Sequence, residues 1–291
     1  MVRLRNIGSG WSRDLPDARD LRLDSDVVER LLGSLPPRRG ARQNRVAQID
    51  WSEYFPDMVW ERDAPAGSAE LAPAQACAAL AQYFQRRATG ELLEPSALFL
   101  HQVAQRLRGH SLDEPGELRA TLKALARFGL PPARLWKPGK NSVFPHLIDP
   151  MMFGYARPWS ELRYVRLDAP EATGALVLRT VKAFLAAGFV AVFGSVLPDV
   201  LNDDGQIAFP TRHELATTPQ ALLALGYDDQ HRWRSQKGAL RVRGFFDQQW
   251  GKSQGGWLPY RYVEERLAVD FWTLLRPDWL QSGEFTLPAG V

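Results

Sequence analysis

The residues with the richest intrinsic chemistry are one cysteine, Cys77, and five histidines, His101, His110, His146, His213 and His231. A reactive thiol needs a helix N-terminus or a nearby cation to hold its thiolate. Cys77 falls instead about five residues into an apolar helix face made with Ala74, Ala78, Ala81 and Phe84, and reads as a small core residue. No two histidines stand at i+3 or i+4, and no carboxylate completes a metal-ligand spacing. His213 and His231 fall in loop-like sequence and read as solvent-exposed. A single cysteine excludes an intramolecular disulfide and a zinc site built on several thiolates. No metal and no cofactor is expected.

Two other stretches carry polar chemistry. Asn202-Asp203-Asp204-Gly205-Gln206 opens like a calcium loop but lacks the alternating oxygen ligands and the closing glutamate, so it reads as a hairpin turn. His231-Arg232-Trp233-Arg234-Ser235-Gln236-Lys237, with Arg241 and Arg243, mixes cations with an indole. With a net charge of only +3 it reads as a polar hairpin rather than a nucleic-acid platform. There is no phosphate loop, Gly-rich dinucleotide turn or nucleophile elbow.

The elements that must position these residues fall into two kinds. Residues 1–48 read as an extended arm and linker, with a short helix over 25–32 and an Arg-rich, Pro/Gly-marked tether (Arg38, Arg39, Arg42, Arg45). Helices are predicted over 72–87, 96–107 and 117–128, the last stopped by Gly129 and Pro131-Pro132. From 161 the pattern changes: a strand over 162–167, a helix over 173–187, then strands over 189–194, 221–225, 239–245 and around Trp257. Gly226-Tyr227-Asp228-Asp229 reads as a turn. Helices first and strands later make an α+β chain: a helical lobe over 49–160 and a strand-rich lobe over 161–291.

Length and composition bound the rest. With 291 residues, 45% apolar and 24% charged, the chain has the makings of a real core and of about two domains. No apolar run reaches about 18 residues, so no membrane span is expected. The N-terminus lacks the apolar stretch of a secretory signal, and a reducing, cytoplasmic setting is expected.

Several segments together resemble the bacterial branch of the papain-like cysteine peptidases. Gly10-Trp11-Ser12-Arg13-Asp14-Leu15-Pro16-Asp17-Ala18-Arg19-Asp20 is similar to that family's lead-in, and Ile49-Asp50-Trp51-Ser52-Glu53-Tyr54 to its entry into the mature fold. Residues 95–100 and 121–129 resemble its left-lobe helices. Ala224-Leu225-Gly226-Tyr227-Asp228-Asp229 resembles the segment after its histidine, and Trp250-Gly251 with Gly255-Gly256-Trp257-Leu258-Pro259-Tyr260 its closing motif. The likeness runs over residues 10–275 and implies a two-lobed papain-like fold with a helical left lobe and a strand-rich, β-barrel-like right lobe.

Enzymes of that family use a cysteine, a histidine, an asparagine and an oxyanion-holding glutamine. Carried over by gapless local matching, the glutamine position falls on Ala66, the nucleophile on Ala72, the base on Gln220 and the orienting asparagine on Gly244. All four differ. A methyl group cannot form a thioester, and a carboxamide does not titrate near neutral pH.

The resemblance therefore implies a pseudopeptidase: an interlobe groove that holds a peptide or protein partner through main-chain hydrogen bonds and side-chain pockets without cutting it. No nucleic acid and no membrane is expected as partner. Gly67, Glu70, Leu71, Glu117, Phe245, Asp247 and Trp250 are expected to line the groove, and the carboxylates Glu70, Glu117 and Asp247 to favour a basic segment. Two alternatives stay open. One is an enzyme of altered chemistry using Gln220, Glu70, Asp247 and Tyr227. The other is a structural subunit whose groove is filled by the arm or by Phe245 and Phe246.

Overall fold

Helix α2 (Ala72–Thr89) organises the molecule. Its sequence is alanine-rich, which suits a helix intrinsically, Pro73 lies in its first turn, and Gly90 ends it at φ +77°. Residues 72–74 and 76–84 are all buried, so this helix has no solvent face over that length. Such all-round burial belongs to a central helix with neighbours on every side. The computed structural model describes residues 2–4, 8–37, 46–55, 68–139, 142, 144–155, 159, 161–210, 218–245, 250 and 255–290.

On one side of α2 lie α3 (Ala97–Arg108) and α4 (Leu118–Phe128). The Ser96 hydroxyl accepts the Phe99 N–H at 3.1 Å to cap α3, and Gly109 closes it at φ +68°. Gly129 terminates α4. On the other side stands a sheet in the order β3 (Arg163–Arg166), β9 (Ala268–Leu275), β4 (Ala191–Leu197), β6 (Thr218–Trp233), β7 (Gln236–Gly244) and β8 (Gly255–Pro259). All its pairings are antiparallel. Helix α6 (Gly174–Ala186), capped by the Thr173 hydroxyl, packs against β6.

The α+β expectation holds, with several corrections. Gly226 to Asp229 are not a turn: they lie inside β6, where β2 (Gln48–Asp50) pairs with them. Any Cβ on Gly226 would overlap the Ile49 carbonyl, so this glycine marks a close backbone approach. His231 is also in β6, not in a loop, and β4 starts at Ala191 rather than 189. Helix α5 (Pro150–Tyr155), the fully buried β9 and the short α7 (Arg261–Glu264) had no sequence expectation.

The division at residue 160 is also incomplete. The strand β2 from the helical segment joins the sheet. At the other end, α8 (Pro277–Leu280) and the tail return to α2: Trp279 and Phe285 both stack on Phe84, at 5.3 and 5.5 Å between centroids. The arm carries β1 (Val2–Arg3), paired with β5 (Val200–Leu201), and α1 (Asp26–Gly33).

Candidate interlobe groove

Ala72 is the first residue of α2 and is fully buried. A 3-10 turn, Ala69–Leu71, delivers the chain to it. Gly116, just ahead of α4, lies beside this helix start; a Cβ there would sit 3.2 Å from the Pro73 ring and 3.7 Å from the Glu70 carbonyl oxygen. Facing them from the sheet is the beginning of β6, with Pro219 and the fully buried Gln220. Gly244, at the end of β7, pairs with Leu222, two residues further along β6.

The space between these walls is occupied by the chain's own arm. Gly10 donates its N–H to the Pro219 carbonyl at 2.9 Å, and Ser12 donates its N–H to the Gly116 carbonyl at 2.9 Å. One short segment is thus bonded to both sides. A Cβ on Gly10 would lie 2.5 Å from Gln220 Oε1 and 2.7 Å from the Ala69 carbonyl oxygen, so the arm passes where no side chain fits. Trp11 turns into the sheet against Gly194 of β4, where a Cβ would overlap its indole. Gln220 donates Nε2 to the Gly8 carbonyl at 2.9 Å. Its Oε1 and the Trp11 Nε1 have no hydrogen-bond partner among the described residues.

Beyond Trp11 the arm enters a buried charge cluster. Asp14 accepts the Arg119 N–H (3.1 and 3.2 Å to its two oxygens) and the Trp272 indole N–H (3.1 Å), and donates its own N–H to Asp270 Oδ2 (2.8 Å). Asp20 takes both Arg119 Nε and Nη2 at 2.7 Å. Arg166 reaches Asp270 at 2.6 Å, Asp168 at 3.1 Å and Asp20 at 3.4 Å. Asp168 accepts the backbone N–H of Asp270 and of Phe271. Asp270 itself has a left-handed backbone, φ +57°, a conformation held by these bonds. Burial pushes the Asp14 carboxyl up to about 7, with the neighbouring Asp270 adding to the rise. Burial also raises Asp168 to about 6 and lifts Asp270.

The other sequence-derived candidates are distributed unevenly. Glu70 is half-buried in the 3-10 turn. Leu71, Phe245 and Trp250 are buried in the core, at 1%, 5% and 1% exposure, and therefore do not offer an open groove wall as expected. Trp250 packs against Gly256 of β8, where a Cβ would overlap its ring. Glu117 precedes α4 but is bonded to Arg108 at 2.8 Å, which removes it as a free acidic contact. Ala66, Gly67, Phe246, Asp247 and His213 lie outside the described residues.

Cys77 is buried in α2, and burial raises its thiol well above the ordinary range, as a core residue requires. Three of the described histidines have other engagements. His101 is buried against the Leu112 carbonyl at 2.8 Å, His110 meets Glu114 at 2.8 Å, and His231 stacks on Trp257 at 4.4 Å beside Gln206. Among the described residues no group of three or more His, Cys, Asp or Glu side chains is placed to hold a metal ion. None of the described helices is long and apolar enough to cross a membrane.

Sequence reasoning kept the arm in the groove only as an alternative, without its contacts, and missed the cluster behind it. The acids at 14 and 20 were visible only as part of the lead-in motif; the cations that hold Asp20 stand 99 and 146 residues away.

Comparison with solved structures gives the fold. Xylellain, a cysteine protease from Xylella fastidiosa, is similar at a TM-score of 0.65 with 24% identity, over 92% of this chain and 96% of that one. Digestive procathepsin L 3 of Tenebrio molitor follows at 0.58 and 12%, over 94% and 77%. Procathepsin B S9 of Trypanosoma congolense gives 0.55 and 14%, over 84% and 82%. The fold is papain-like, two-lobed and α+β. No family model matches the sequence, and no curated protein matches it.

Proposed function

We propose that this chain is a pseudopeptidase: a papain-like scaffold without peptidase chemistry that binds a peptide or protein partner in its interlobe groove, as an adaptor or assembly subunit. The observation that carries the reading is the pair facing each other across the groove. A methyl group, Ala72, opens α2, and a carboxamide, Gln220, stands on β6 with its Nε2 bonded to the arm. Neither group can act as nucleophile or general base. The buried, protonated Cys77 supplies no substitute.

The groove still presents what an extended peptide needs. Main-chain carbonyls at Pro219 and Gly116 accept from a strand laid between them, and Gly194 leaves room for a large side chain. A bound partner would take over these contacts. Glu70 stands at the helix start, so a basic segment is the preferred partner chemistry, in a cytoplasmic setting.

One observation favours a second reading. The arm fills the groove, as it would in a structural subunit that binds nothing there. The two readings separate on a partner: capture that is saturable and lost in an Ala72→Trp variant supports binding, whereas capture indifferent to that change favours scaffolding. The altered-chemistry alternative is weakened by Tyr227, whose hydroxyl is committed to the Val46 carbonyl at 2.8 Å.

The decisive assay is hydrolysis of a broad peptide library by the purified chain. No turnover is expected. Turnover abolished by Cys77→Ala would overturn the reading.

A further inference from the structure

Strands β6 and β7 run on past the rest of the sheet. Among the described residues no other strand pairs with β6 beyond Asp229 or with β7 before Gly238. The register sets Arg232 opposite Lys237 and Trp233 opposite Gln236, so Arg234 and Ser235 form a two-residue turn. Residues directly opposite one another share a face, and like charges in that position repel. Arg234 takes φ +52° at the first central position of the turn, where glycine sits without strain. Its guanidinium lies 4.3 Å from the centre of the Trp233 ring.

We propose that this hairpin tip is a docking point for an acidic, carboxylate-rich segment of a protein partner, gripped by Arg232 and Lys237 on one face and by Arg234 at the turn. The contact is separate from the groove: Trp233 stands at the far end of β6 from Gln220, up to about 40 Å along the strand.

Arg232, Arg234 and Lys237 are exposed, and among the described residues no carboxylate pairs with their side chains. The nearest acids in the sequence are committed. Asp228 Oδ1 accepts the Gln230 N–H at 2.7 Å, and Asp229 is bonded to Lys182 and to Tyr260. A bulge between Asp228 and Arg232 sets both acids apart from the tip. Arg241 and Arg243 do not join it: Arg241 lies over Trp257 with Asp50 beside it, and Arg243 is buried. An opposite charge across the pair would stabilise a surface hairpin, yet here a repulsive pair and a bulky cation at a glycine position both persist in the free chain. Carboxylates brought from outside relieve the repulsion. They also meet a guanidinium that stacking on the indole holds in place, with its N–H donors unbonded among the described residues.

The pattern favours a peptide over a nucleic acid. Single strands are tracked by a cationic groove with successive aromatic platforms. Here three cations crowd one tip, Arg234 covers a face of Trp233, and the whole chain carries only +3. Carboxylates match both kinds of cation: arginine takes them in its planar fork and lysine as a point charge.

The test is fluorescence anisotropy of a labelled poly-glutamate peptide with the full chain at about 20 mM salt, where screening is weak. Replacing Arg232, Arg234 and Lys237 together by Gln is expected to weaken binding about tenfold, the sum of three exposed ion pairs. A control loses the same charge at Lys123, Arg127 and Arg179, exposed cations elsewhere, and should bind within about twofold of wild type, since exposed charges beyond a Debye length are screened. Lys237→Glu turns the like-charged pair into an opposite one, so its melting temperature should rise at low salt while the peptide is lost. No binding by the wild type, equal weakening in tip and control variants, or a lowered melting temperature in Lys237→Glu would each overturn the proposal. So would a single-stranded oligonucleotide of equal charge that binds more tightly than the peptide and depends on the same three residues, which would make the tip a nucleic-acid contact. Detected peptidase activity would sink the pseudopeptidase reading and leave this contact standing, and failure of the peptide to bind leaves the groove reading untouched.

Discussion

The side-chain amide of Gln220 is bonded to the main-chain carbonyl of Gly8, 2.9 Å away. The residue at the expected base position therefore holds the chain's own N-terminal arm. That bond sits at the centre of a seat in which every contact leaves little freedom for substitution.

Gly10→Ala is expected to unseat the arm. The added methyl meets the Ala69 carbonyl, which belongs to backbone and cannot swing aside. Overpacking of this kind costs about 1–3 kcal/mol. Urea denaturation should register the loss, and exchange protection at Ser12 should collapse before that of β6. Gly194→Val should act the same way by expelling the Trp11 indole.

Cys77 should behave as a packing atom. In the native state at pH 8 its thiol is expected not to react with a water-soluble disulfide reagent, and to react fully once urea unfolds the chain. Cys77→Ala removes a small buried group, at a cost of about 1 kcal/mol. Cys77→Ser buries a hydroxyl among alanines and should cost more, about 1–3 kcal/mol.

Removing Arg166 should be among the most damaging single changes in the molecule. Its guanidinium is shared by Asp20, Asp168 and Asp270. Arg166→Met leaves three buried carboxylates short of their cation, a loss of about 3–5 kcal/mol. A chain that folds with wild-type thermal stability would contradict this account of the cluster.

Asp168 gives a pH signature inside the right lobe. Burial holds its carboxyl at about 6 rather than 3.8. Its contribution is therefore complete below pH 3.8 and disappears as pH rises through about 6, roughly 3 kcal/mol in all. His101 acts oppositely. Burial lowers its pKa, so the folded state loses stability as pH falls below the ordinary 6.5. The two trends oppose each other in the wild type, and the informative quantity is a difference. Asp168→Asn relative to wild type should gain stability steadily from pH 4 to 7 in urea titrations, while His101→Gln relative to wild type should gain it toward acid.

Much of the helical half was legible in the residues themselves. Pro73 at the start of α2, its apolar spacing, and Gly129 with Pro131-Pro132 after α4 are local signals, and local signals decide helices. Gly226-Tyr227-Asp228-Asp229 misled for a physical reason. Glycine there admits the Ile49 backbone and Asp229 is tied to Lys182 and Tyr260, so turn-like composition serves a crowded strand. For the groove, Ala72 at the opening of α2 could be read from helix periodicity and family likeness. That the arm fills the groove stood only as one alternative, and the bonds that seat it could not be read. The bonds from Gly8 to Gln220 and from Asp14 to Asp270 join residues 212 and 256 apart, and no one-dimensional pattern encodes such a pairing.

The tail that stacks Trp279 and Phe285 on Phe84 also meets the arm, where Leu287 donates its N–H to the Pro36 carbonyl at 2.9 Å. The polypeptide is thus interlaced, with each half finishing the other's interior. A cut at the apparent midpoint would hand each fragment an unfinished core. Truncating the C-terminal end would strip aromatic cover from Phe84 in the buried stretch of α2, and the molecule should melt in one step or not fold at all.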